Sequence, residues 1–263
     1  MSAYTYELET IRTALNSASE RLKRITYEGL HVQVKADGSP VTNGDLEVNQ
    51  IIEHALLKAF PKDAWLSEES PDTPSRLQSQ RVWILDPIDG TKPFIKSLPH
   101  YTISLALIDQ GQPAIGVIFN PATQEYFCAI QGQQAMLNGQ PLHVRTTSDS
   151  ARQTFLLNPG KVPHLTLKTW RSQHHCPPLL GSIAYSLALV AAGLVDGVIN
   201  VGPQNEWDIA AGLLLVQAAG GLVFDNNQEP IQCNQPNPTV NGIIALRPDA
   251  LPTIQQWLTE LKV

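Results

Sequence analysis

The chain has 263 residues, 43% of them hydrophobic and 16% charged, with a net charge of -6. That length holds one large domain or two modest ones sharing a core, and the composition excludes a disordered chain. The acidic balance argues against a protein that grips nucleic acid through a broad basic face, and a handler of anionic substrates would need cations to offset it.

The N-terminal segment repeats apolar residues at Tyr4, Leu8, Ile11, Leu15, Ala18, Leu22 and Ile25. Steps of three and four predict one face of a long amphipathic helix. No basic-then-apolar leader is read at Met1, and a reducing, cytoplasmic location is expected. A turn-prone stretch, Lys35 to Pro40, precedes a second helix that starts near Thr42 to Asp45 and stops at Pro61. Strands are expected at Ala64–Ser67 and Arg81–Leu85, with a turn forced at Pro87. A hairpin over Thr102–Ile108 and Ala114–Phe119, a strand at Glu125–Ile130 and a turn at Asn138-Gly139 follow.

A domain boundary is placed in the polar stretch Thr146 to Ser150, giving an N-terminal α+β domain (1–146) and a C-terminal α/β domain (147–263). Beyond it, strands at Thr154–Leu157, Val195–Val201, Leu222–Phe224 and Thr239–Leu246 alternate with helices at Ile183–Ala192, Asp208–Ala219 and Thr253–Leu261. Such alternation predicts a layered α/β architecture. The apolar run Ile183 to Val201 is broken by Gly193, Asp196 and Gly197, so it reads as buried helix and strand and not as a membrane span. Three cysteines, Cys128, Cys176 and Cys233, form no disulfide or zinc pattern. His174-His175-Cys176, followed by two prolines, reads as a polar loop.

The chemistry concentrates in Asp86-Pro87-Ile88-Asp89-Gly90-Thr91. Carboxylates leaving an apolar strand are costly unless a cation meets them. A turn brings Asp86, Asp89 and the Ile88 carbonyl to one cavity, an oxygen set suited to a hard cation such as magnesium. Gly90 lets a ligand approach the backbone, and the Gly90 and Thr91 amides form a candidate anion nest that Pro93, lacking an N–H, cannot extend. Ser67-Glu68-Glu69-Ser70 ends an earlier strand, with its two glutamates expected on different sides. Asp45 and Asp208 stand at predicted helix starts, where an acidic cap explains each of them equally well. Taken singly, each segment has a plain structural explanation; four at element boundaries are harder to dismiss.

Leu66-Ser67-Glu68-Glu69-Ser70, Asp86 to Ile95 and Trp207-Asp208-Ile209-Ala210-Ala211-Gly212 together resemble the signature set of the inositol monophosphatase superfamily. The resemblance runs from about Tyr4 to Phe224. It implies an α/β fold of layered αβαβα sandwich type and lithium-sensitive, magnesium-dependent hydrolysis of a small phosphate monoester. It makes Glu68, Asp86, the Ile88 carbonyl, Asp89 and Asp208 metal ligands for two or three Mg2+ ions. Thr91 and Asp45 become the pair that polarises the attacking water, with Glu68 beside them. Gly181 and Ser182 match a substrate-side glycine and small hydroxyl residue, and Gly90, Thr91 and Asp208 complete the substrate contacts.

Within the family, Asp89-Gly90-Thr91-Lys92 is similar to the 3'(2'),5'-bisphosphate nucleotidase form, which would remove the 3'-phosphate of adenosine 3',5'-bisphosphate. Pro93 departs from both branches compared. Val201 stands where inositol monophosphatases hold sugar hydroxyls with a glutamate, and Ser186 stands where the nucleotidases carry a lysine. Lys92, Lys96, Arg171 or His174 would then have to meet a second phosphate. Inositol monophosphatase or fructose-1,6-bisphosphatase activity, and a non-catalytic phosphate sensor, are the alternatives. No nucleic-acid polymer or membrane is expected as a partner, and a homodimer is compatible with the sequence.

Overall fold

In a computed structural model, the structure describes residues 4–146, 153–158 and 164–261. The chain opens with helix α1 (Thr5–Glu28), strands β1 (Val32–Val34) and β2 (Pro40–Thr42), helix α2 (Asn43–Ala59) and strand β3 (Ala64–Ser67). After a 3-10 turn at Pro74–Gln78 come β4 (Arg81–Asp89), the short α3 (Thr91–Ile95), β5 (Thr102–Asp109), β6 (Gln112–Asn120), β7 (Glu125–Ile130), β8 (Met136–Leu137) and β9 (Gln140–Pro141). The second half holds β10 (Phe155–Asn158), α4 (His164–Gln173), α5 (Ile183–Ala191), β11 (Gly197–Asn200) and β12 (Gln204–Asn205). It finishes with α6 (Glu206–Ala218), β13 (Leu222–Phe224), β14 (Thr239–Val240), β15 (Ile243–Leu246) and α7 (Leu251–Leu261).

Strands β3 to β9 form one sheet in sequential order, parallel between β3 and β4 and antiparallel thereafter. A second sheet runs β10-β11-β15-β13, with β10 and β11 parallel. Side chains alternate across each strand. Trp83, Leu85, Ile103 and Leu105 meet Leu15, Leu22, Val48 and Ile52 of α1 and α2. Val82, Ile84, Ala106 and Ile118 face the other way, onto α5 and α6. The same two helices take Val198, Ile243 and Ala245 from the second sheet. Ile199, Ile244 and Leu246 point outward onto Leu167 and Trp170 of α4 and Ile254 and Trp257 of α7. The layers are therefore helix, sheet, helix, sheet, helix, as expected.

Two expectations need correction. Strand β4 does not stop at Asp86: pairing with β5 resumes at Asp89 opposite Thr102 after a register shift. A bulge absorbs Pro87, which has no N–H to offer the ladder, and re-aims the two aspartates. The strand expected over Thr239–Leu246 is split, because Gly242 takes φ +73 between β14 and β15. Helix α4 was not anticipated at all. His174 follows its last turn and is stacked on Trp170, with ring centroids 4.1 Å apart. Thr146 is described, but the rest of the proposed boundary, residues 147–150, lies outside the described residues.

Candidate active site

Three helices aim their first turns at the bulge in β4. Helix α2 begins in a capping box: the Thr42 hydroxyl accepts from the Gly44 and Asp45 amides, while the Asp45 carboxylate accepts from the Thr42 amide at 2.8 Å. Asp45 is thus the third helical residue and not the cap. Its other oxygen, Oδ1, accepts from the Thr91 hydroxyl at 3.2 Å. That hydroxyl also reaches the Ile88 carbonyl at 3.3 Å. Burial, against the bonds from Thr42, pushes the Asp45 carboxyl above its ordinary value.

Helix α5 starts at Ser182, whose hydroxyl caps the Tyr185 amide and donates to Asp89 Oδ2 at 2.7 Å; the Ala184 amide reaches the same oxygen at 2.6 Å. Helix α6 starts in a second capping box, with the Asn205 amide donating to Asp208 Oδ2 at 3.0 Å. Asp208 and Asp86 lie within hydrogen-bonding reach of each other. Asp86 Oδ1 also accepts from the Ile88 amide at 2.9 Å. Asp86 and Asp89 are buried, with the half-buried Asp208 beside them, and among the described residues no Lys, Arg or His forms an ion pair with any of the three. Burial, reinforced by their mutual repulsion and by Glu68, pushes Asp86 and Asp208 well above the usual carboxylate range. Burial pushes Asp89 up to about 7 despite its bonds from Ser182 and Ala184.

Glu68 follows β3, its amide bonded to the Leu85 carbonyl. The two glutamates do not part as expected. The Lys35 ammonium, reaching in from the β1–β2 hairpin, holds Glu68 at 2.7 Å and Glu69 at 2.5 Å. The chain leaves extended geometry at Ser67, so alternation no longer applies. Lys35 had no distinguishing signal in the sequence beyond its turn.

Gly90 takes φ +98, and a Cβ there would come 2.8 Å from the His100 carbonyl oxygen. Gly181 takes φ +101, and its missing Cβ leaves room for the Pro93 ring, whose Cγ would sit 2.5 Å away. Ser182 is fully buried, and its hydroxyl serves Asp89 and Thr102. The hydroxyl is thereby engaged by Asp89. Asp89, Asp208 and Gly181 open onto a cavity of about 280 Å³, lined on its far side by Asn158, Asn200 and Gln204. A larger groove, about 920 Å³, follows α2 beside Gln50, Glu53, His54 and Lys58 but contains none of the clustered carboxylates. Chemistry, not size, makes the smaller cavity the candidate site.

Two buried carboxylates and a half-buried one, none with a basic partner among the described residues, could with the Ile88 carbonyl hold a hard divalent cation. Among the described residues no three such side chains are already closed into a cation cage. Glu68 is instead turned to Lys35.

The sequence profile of the inositol monophosphatase family matches residues 4–258. The chain belongs to that family. Its members are metal-dependent phosphatases, and this chain is one of them. Nus factor SuhB of Pasteurella multocida is 35% identical over 207 residues, 76% of this chain and 77% of that protein. An inositol-1-monophosphatase of Mesorhizobium japonicum is 37% identical over 205 residues, 75% and 76% of the two chains. The 3'(2'),5'-bisphosphate nucleotidase CysQ of Aggregatibacter actinomycetemcomitans is 30% identical over 247 residues, 90% and 91%. The crystal structure of extragenic suppressor protein suhB from Bartonella henselae superposes with a TM-score of 0.82 at 30% identity, covering 95% and 97%. The inositol monophosphatase fold expected from the motifs is thereby shown.

Proposed function

We propose that this chain hydrolyses a small, soluble phosphate monoester with Mg2+, held as two or three ions by Glu68, Asp86, Asp89, Asp208 and the Ile88 carbonyl. The observation that carries the reading is the cluster of Asp86, Asp89 and Asp208, without an ion-pair partner among the described residues, beside the Thr91–Asp45 hydrogen bond. Mg2+ held by these residues would supply Lewis acidity, lowering the pKa of a water and offsetting charge on the departing oxygen. Thr91 accepts from that water while donating to Asp45, which orients the attack, and Glu68 stands ready to take the proton. The Gly90 and Thr91 amides steady the phosphoryl oxygens. Asp208 and Gly181 line the leaving-group side, and Ser182 acts through Asp89. A silent sensor would be expected to lack one of these carboxylates, and all four are present.

For the leaving group, the described residues that line the cavity beyond Asp89 and Asp208 include the uncharged polar Asn158, Asn200 and Gln204, with no Lys or Arg among them. Carboxamides pair with hydroxyls and do not neutralise phosphate. This favours a monophosphate of a hydroxyl-bearing alcohol, as in inositol monophosphatases. A second reading, the 3'(2'),5'-bisphosphate nucleotide, is supported by Asp89-Gly90-Thr91-Lys92 and by the CysQ relative. It needs a cation for the second phosphate. His174 is stacked in the α4 layer and Arg171 lies beside a separate groove with His164 and Lys168, which leaves, of the four candidates, the exposed Lys92 on α3 and Lys96 at its C-cap.

The deciding measurement is phosphate release from inositol 1-phosphate, fructose 1,6-bisphosphate and adenosine 3',5'-bisphosphate, with Mg2+ and with excess chelator. The monophosphate is expected to lead in kcat/KM by about tenfold, roughly 1.4 kcal/mol, and chelator and lithium to suppress release. A tenfold lead for the nucleotide replaces the first reading with the second. Full turnover in chelator sinks both.

A further inference from the structure

Arg76 sits on the 3-10 turn that follows the Glu68 segment, and it is 1% exposed. Its guanidinium binds the Asp72 carboxylate through Nε at 2.7 Å and Nη2 at 3.0 Å. The other edge crosses to the loop before β14, donating to Asn234 Oδ1 at 2.6 Å and to the Gln235 carbonyl at 2.9 Å. Those two residues turn their amides the opposite way, onto a second buried charge. Asn234 N and Gln235 N donate to the two oxygens of Glu206 at 2.5 and 2.8 Å. Glu206, fully buried, opens α6 two residues before Asp208. One network therefore runs from Asp72 and Arg76, shortly after the Glu68 segment in the chain, to the helix turn that carries Asp208.

An apolar contact would tie two loops together at lower desolvation cost than a buried arginine and a buried glutamate. What the charged version adds is direction: a planar fork on one side and two amides on a carboxylate on the other fix both position and angle. Metal sites need that accuracy, because ligands displaced by a fraction of an ångström lose affinity. We propose that Arg76 and Glu206, joined through Asn234 and Gln235, form a positioning clamp. It sets the spacing between Glu68 and Asp208 and so the affinity of the site for its divalent cation. The proposal rests on the reading of Glu68 and Asp208 as cation ligands; neither clamp residue touches substrate.

The test is calorimetric titration of the full-length, chelator-stripped chain with Mg2+, alongside urea denaturation without metal. Arg76→Lys keeps the charge and loses the fork, and should raise the Mg2+ dissociation constant by about tenfold or more, the usual cost of losing an outer support of a metal ligand. Asp72→Asn, on the partly exposed side, should raise it by a smaller factor, and decides the matter if the Arg76 variant does not fold. A simple staple predicts lower urea midpoints with Mg2+ affinity within about twofold of wild type, and that result overturns the clamp. If the wild-type chain itself takes up no Mg2+, the cation reading falls, and the clamp with it. Equal uptake by wild type and variants removes the clamp alone.

Discussion

Thr91 has one hydroxyl proton and two acceptors waiting for it, Asp45 Oδ1 and the Ile88 carbonyl. Its lone pairs stay available to a water. Thr91→Val keeps the shape and removes the hydroxyl, so kcat should fall by roughly a hundredfold or more, with KM changed little. An unchanged kcat would return Thr91 to the status of a turn residue. Asp89 supports a second expectation at this scale. In chelated protein its carboxyl is raised to about 7 from an ordinary value of 3.8. Between those values the folded chain keeps a proton that the unfolded chain has shed. Its contribution to stability is therefore full below about pH 4, declines as pH rises and is gone above about pH 7. Asp89→Asn never ionises. In excess chelator its melting temperature should exceed that of wild type by an amount that grows from pH 5 to pH 8, reaching on the order of 5 °C. A difference that shrinks with rising pH would contradict this.

At the scale of elements, α6 is the part that joins fold to chemistry. It is apolar on all sides because it is packed on all sides, between β4–β7 and α5. Gly116 of β6 permits its closest approach: a Cβ there would lie 2.6 Å from the Ala211 carbonyl oxygen. Gly212, the last residue of the third motif, does the same toward α5, where a Cβ would meet Leu187 at 2.3 Å. Gly116→Ala should lower stability by about 1–3 kcal/mol. It should also weaken Mg2+ binding, since Asp208 rides on the displaced helix. Urea denaturation and metal titration of the same variant separate the two effects, and unaltered stability would mean the strand yields instead of the helix.

For the molecule as a whole, the sequence conveyed the layers and most of the site, for an identifiable reason. The carboxylates stand at element ends, and element ends are marked locally, by Pro61, Gly90 and Gly220 or by an acidic third helical residue after Thr42 or Asn205. What stayed hidden depends on partners far along the chain. Nothing near Arg76 announces Asn234, and nothing near Glu68 announces Lys35. The two-residue strands β12 and β14 carry no period, and α4 is too polar for its buried Leu167 and Trp170 to stand out. Val201 was compared with a hydroxyl-binding glutamate, but it packs against the α4–α7 core, and the polar lining comes from Asn200 beside it.

The middle layer has a further consequence. Helices α5 and α6 come from the second half of the chain, yet they bury Ile84, Ala106 and Ile118 of the first. Severed from its other half, either part would present a broad apolar face to water, an adhesive surface and not a finished exterior. The two halves stand to each other as obligate subunits do, joined by a peptide where other proteins use association. The proposed hydrolytic centre lies across that seam, with Glu68, Asp86 and Asp89 from one half and Asp208 from the other, so neither half alone would carry the full set.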